Sequence, residues 1–172
     1  YRFNEPWDGP NNRKLAGQMP TQYALHGCEK PGNVTTNYLR VIGEETASPT
    51  HRSLRDSDIN DGIANTLFIV ENVDAGVHWM EPRDLAFDAM SFTISAPNGI
   101  SSWLEPPAGV TLEGRVLSLS PRMPADAVKA AFTITGGETN VAQWLEPIAD
   151  GRDRPKSKSA PCGYSRLEPT RP

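Results

Sequence analysis

Apolar residues fall at short, irregular intervals along this chain, and one run fills a strand's length without interruption. Leu67-Phe68-Ile69-Val70 follows the turn chemistry of Asp58-Ile59-Asn60-Asp61-Gly62 and precedes Glu71-Asn72. Unbroken apolarity over that length predicts a central strand covered on both faces, with Phe68 and its neighbours sealed inside. Asp74-Ala75-Gly76 predicts a turn, after which residues 77–80 return as the second arm of a hairpin. Pro82 cannot donate to a ladder and ends that arm. Residues 36–43 alternate Tyr38, Arg40 and Ile42 against Leu39 and Val41, a strand closed by Gly43. Residues 91–94 read as a short strand, and 110–120 as two strands turning at Glu113-Gly114. Helical signals are brief. Asn11 or Asn12 opens a short helix ended by Gly17, 85–90 suits one turn, and 124–132 carries Pro in its first turn. Short strands with a few short helices predict an α+β fold built on an antiparallel sheet.

Composition agrees with that turn-rich picture. Of 172 residues, 14 are Gly and 16 Pro, while 37% are hydrophobic. A length of this order holds one domain with a real core. Residues 1–149 are assigned to it, and 150–172, charged and Pro-bearing with few core residues, to a tail. A net charge of −4 sets the chain apart from nucleic-acid binders, which need clustered Lys and Arg. No run of about eighteen apolar residues is present to span a bilayer. The start at Tyr1 reads as a piece freed from a longer protein. Cys28 and Cys162 are too few for a disulfide framework, and both a bridge and two free thiols remain open.

Candidate chemistry is sparse. Trp79-Met80-Glu81-Pro82, Trp103-Leu104-Glu105-Pro106 and Trp144-Leu145-Glu146-Pro147 repeat one local pattern at unequal spacing. Each fits a Trp packed at a strand end before a turn. Exposed, the same Trp and Glu pairs would stack on sugar rings or anchor a protein partner. Asp56, Asp58 and Asp61 precede Gly62 like a calcium loop, but the spacing fails the EF-hand rule, since Leu67 stands where its Glu belongs. They suit Asx-turns, or an irregular calcium site. His26, His51 and His78 are scattered, and His26 with Cys28 lacks the second ligand pair that zinc needs. His78 with Glu71, Glu81 and Asp84 is the one acid–base grouping, and no nucleophile elbow or phosphate-binding loop accompanies it.

Several blocks resemble, in order, a prepilin-like family of unknown function expanded in planctomycetes and sometimes labelled solute-binding. They are Glu5-Pro6-Trp7-Asp8-Gly9-Pro10-Asn11-Asn12, residues 18–23, residues 36–47, residues 58–72, Trp79-Met80-Glu81-Pro82-Arg83-Asp84-Leu85 and residues 130–138. The likeness covers about residues 1–140. It implies the globular part of a type IV pilin or type II secretion pseudopilin, exported to the cell envelope and anchored through an N-terminal helix that this sequence lacks. Such a part would be non-enzymatic, packing with copies of itself or with secretion components. The rival expectation is an extracytoplasmic glycan- or calcium-binding module. Residues 112–120 depart from the family, with Glu113-Gly114 where Asp-Gly is usual and no His nearby. Without the helix, either the chain ends cover the exposed sheet face or that face stays open to a partner.

Overall fold

The computed structural model describes residues 1–25, 32–136 and 141–148. Within them the α+β expectation holds. Six strands form one sheet: β1 (Tyr38–Ile42), β2 (Leu67–Glu71), β3 (Leu85–Ala86), β4 (Ala108–Thr111), β5 (Val116–Leu119) and β6 (Leu145–Pro147). Their order is β3-β1-β2-β4-β5-β6. The uninterrupted apolar run is thus an interior strand, flanked on both sides as its composition predicts. All pairings are antiparallel except β1 with β3. The expected antiparallel sheet thus gains one parallel edge strand, and β3 occupies residues whose sequence suits a helical turn.

The sealing of Phe68 also needs correction. Leu67 and Val70 are each 1% exposed, whereas Phe68 and Ile69 are only half-buried. Strict alternation cannot bury two residues three apart. A register shift between Leu67 and Ile69 against β4 inserts an extra residue there, and this bulge aims both Leu67 and Val70 at the core. Phe68 and Ile69 are left out of it.

The main core lies on the face of β1, β2 and β5 that carries Leu39, Val41, Val70, Leu67 and Leu119. It is closed by Phe87, Met90, Ile100 and Phe132 and by the short helix α1 (Ala125–Ala130), which buries Ala127 and Val128. Asp126 in the first turn of α1 and Lys129 in its last suit the helix dipole. Space is tight at Gly109, where a Cβ would meet Leu67 Cδ2 at 3.1 Å and Ile69 O at 3.3 Å.

The predicted hairpin of β2 with residues 77–80 does not form. Both edges of β2 are occupied by β1 and β4, so the returning segment bonds elsewhere: Thr36 N donates to Val77 O and Trp79 N to Val34 O. Residues 91–94 make only an isolated bridge, Ser91 with Gly99. The β4–β5 hairpin does form, with Gly114 at φ 88° supplying the left-handed turn. At the sheet margins, β3 has two residues and β6 three, with Pro147 on the latter. The tail 150–172, His26 and both cysteines lie outside the described residues.

Candidate functional site

The sheet face opposite the main core is set by register into two rows. One runs Tyr38, Glu71, Ala108, Ser118, Glu146 across β1, β2, β4, β5 and β6. Its inner members are covered: Glu71, Ala108 and Ser118 are 3%, 4% and 8% exposed. A small second core of Leu25 and Leu104, with Trp103, Val73 and Tyr38 packed on it, caps the β1–β2 end. Beneath the cap, the Glu71 carboxylate accepts a hydrogen bond from Ala108 N at 2.8 Å.

The other row is different. Arg40 stands opposite Ile69, Ile69 opposite Val110, and Val110 opposite Val116. Ile148, whose N–H reaches Val116 O at 3.1 Å, completes it beyond β6. Ile69, Val110 and Ile148 are half-buried, and Val116 is 42% exposed. These four, like Phe68 and Ile42, belong to neither core. They form a row of β-branched side chains across the sheet, outside both cores, with Val116 its most exposed member. At its β1 end the Arg40 guanidinium is held by Asp84, at 2.9 Å.

The three Trp-x-Glu-Pro segments do not converge. Trp79 is half-buried, its Nε1 donates to Ala16 O at 2.9 Å, and its ring lies 5.9 Å from Tyr23. Trp103 belongs to the second core and Trp144 packs on the main one. Their partner carboxylates differ too. Glu81 is paired with Arg83, whose hydrogen bond holds its pKa below the usual carboxylate range, while Glu105 and Glu146 are exposed. Each indole therefore pins a separate part of the chain.

The acidic set reads as turn chemistry. Asp58 Oδ2 accepts from Arg55 N at 2.8 Å, Asp61 Oδ2 from Gly136 N at 3.0 Å, and Asp56 opens a short 3₁₀ helix, Asp56–Asp58. Among the described residues no group of three or more His, Cys, Asp or Glu side chains is placed to hold a metal ion. Asp56, Asp58 and Asp61 are accordingly not assembled as calcium ligands. The acid–base grouping is likewise dispersed. The His78 ring lies 4.8 Å from that of Trp7, tilted by 31°, and its Nδ1 accepts from Met80 N at 3.1 Å. Burial pushes its pKa down against the opposing pull of Glu81. Glu71 lies beneath the cap, and Asp84 serves Arg40.

Several structural residues escape a reading by motif. The Glu5 carboxylate accepts from Asn11 N and Asn12 N at 2.9 and 2.7 Å, closing the N-terminus of the 3₁₀ helix Asn12–Gln18 that Asn11 or Asn12 was expected to cap. Asn12, fully buried, ties Arg2 N and O and Pro6 O together. The signal was the clustering of Glu5, Asn11 and Asn12 around Pro and Gly.

One exposed loop carries a sharp pH dependence. Glu44 Oε1 accepts from Thr50 Oγ1, His51 Nδ1 and Thr50 N at 2.7, 2.9 and 3.0 Å, and these bonds, that of the Thr50 hydroxyl foremost, lower its pKa from 4.5 to about 2. A depressed carboxylate pKa favours the folded loop above about 4.5 and ceases to do so as pH falls toward 2. The Thr50 amide resonance is expected to titrate with a midpoint near 2. A midpoint near 4.5 would show that the carboxylate does not hold the loop.

No protein-family model, curated protein or solved structure matches this chain.

Proposed function

We propose that this chain is the globular part of an envelope-associated, pseudopilin-like protein whose role is structural: it packs with other protein subunits and catalyses no reaction. The observation that carries the reading is the apolar row Ile69–Val110–Val116–Ile148 with Phe68 beside it, which lies outside both cores and exposes Val116. Folded monomers rarely leave a contiguous apolar patch open unless something docks on it. The ordered blocks of residues 1–140 that resemble the prepilin-like family support the envelope assignment. The ligand-binding alternative gains no support from Trp79, Trp103 and Trp144, which sit in three separate environments.

The test uses the full-length protein in its native cells, with a photo-crosslinking residue at Val116 and a control at Lys129, exposed on α1. Adducts specific to position 116, in the envelope fraction, with copies of the protein or with pilus or secretion components are expected. Absence of such adducts, or recovery of the protein from the cytosol, would sink the reading.

A further inference from the structure

We infer that the occupant of this apolar row is a second copy of this chain, docked broadside about a two-fold axis that runs parallel to the strands over Val110. This deepens the assembly reading above, on which it rests, by naming the partner and the geometry.

The row itself suggests the symmetry. Its members lie on four consecutive strands, β1, β2, β4 and β5, and on Ile148 just past the end of β6, so Val110 on β4 is the midpoint. From Arg40 to Ile148 the row spans four strand spacings, about 19 Å. Ile69 and Val116 flank the centre at equal distance, both β-branched and both outside the two cores. A two-fold contact is isologous, so where residue i of one copy meets residue j of the other, j meets i as well. Here Val110 meets Val110, and Ile69 of one copy meets Val116 of the other.

Charge selects an axis along the strands over one along the row. An axis along the row would set Arg40 against Arg40 of the other copy. An axis along the strands exchanges the ends and sets Arg40 against the β6 end of the other copy. Glu146 waits there, exposed, on the same face as Ile148 and two residues away, about 7 Å along the strand. Arg40 is half-exposed although its Nε and Nη2 both bond Asp84 Oδ2. The same axis also separates the two protruding caps of Trp103 and Leu104. Each sits over its own β1–β2 end and falls opposite β5 and β6 of the other copy.

Sedimentation velocity on the purified 172-residue chain tests this, from about 1 to 100 µM, a range that covers the affinities of weak to moderate complexes. A concentration-dependent dimer is expected. Val116→Glu, at a site exposed in the monomer, should weaken it by at least about tenfold while leaving the melting temperature of dilute protein unchanged. Glu146→Arg should weaken it through repulsion with Arg40, and adding Arg40→Glu should restore it. A chain monomeric throughout, a dimer indifferent to Val116→Glu, or a charge reversal that the second substitution fails to rescue would each overturn the two-fold. A monomeric chain that still gave Val116 adducts in cells would leave the assembly reading standing with a different partner. Loss of those adducts would remove both.

Discussion

Phe132→Ala is expected to lower stability by about 3–5 kcal/mol, the usual range for emptying a fully buried aromatic site. Phe132 is 0% exposed and comes directly after α1, with Val128, Ala131 and Leu67 of the same core also 1% exposed or less. Its neighbours are fixed by backbone bonds as well as packing: Leu67 N donates to Ala131 O at 2.8 Å and Phe132 N to Lys129 O at 3.1 Å. The walls therefore have little freedom to collapse into the space, which places the loss toward the upper end. Urea denaturation would measure it. A loss under about 1 kcal/mol would mean that α1 and its trailing residues do not close the core.

Asn72→Ala is expected to cost about 2–4 kcal/mol. The side chain is 1% exposed and makes four hydrogen bonds. Its amide donates to Pro97 O and Gly99 O at 3.0 and 2.6 Å, and its carbonyl accepts from Asp74 N and Ala75 N at 3.0 and 2.7 Å. Truncation leaves two buried carbonyls and two amides to find other partners. The loop it holds has no slack, since a Cβ on Gly99 would meet Ser91 O at 2.3 Å. Asn72→Asp keeps the size but presents an acceptor to both carbonyls, so it should destabilise at least as much. If the aspartate variant matched the parent in denaturation, the pinning role assigned to the amide would be wrong.

Asn72 also explains where sequence reasoning succeeded and where it stopped. The strand through Leu67–Val70, the Glu113-Gly114 hairpin and the short helix after Pro124 were legible because each is fixed by local pattern and turn chemistry. The path of the chain beyond Asn72 was not. Asp74-Ala75-Gly76 carries the composition of a hairpin turn, yet Asn72 bonds the Asp74 and Ala75 amides and redirects the chain. The decision rests on β1 and β4 claiming both flanks of β2, which no local window contains. The bulge at Phe68 is of the same kind: four apolar residues in a row do not announce which two reach the core. β3 was hidden for another reason, since two residues are too few to show a period and its pairing is with a strand some forty residues earlier.

The candidate face was half-visible for similar reasons. Val110 and Val116 are symmetric about Glu113, so a hairpin there places them opposite each other, but Arg40 and Ile69 join the row only through strand order. The Trp-x-Glu-Pro repetition, the most visible local repeat, turned out to be three unrelated packing pins.

The margins of the sheet constrain how this protein can be multiplied. A bare strand edge invites a neighbour's backbone to zip on, the route by which β proteins fuse into cross-β ribbons. Here one margin is two residues long and the other carries a proline with no N–H to offer. The packing proposed above would lay native copies like tiles, broad side to broad side, each keeping its own six strands.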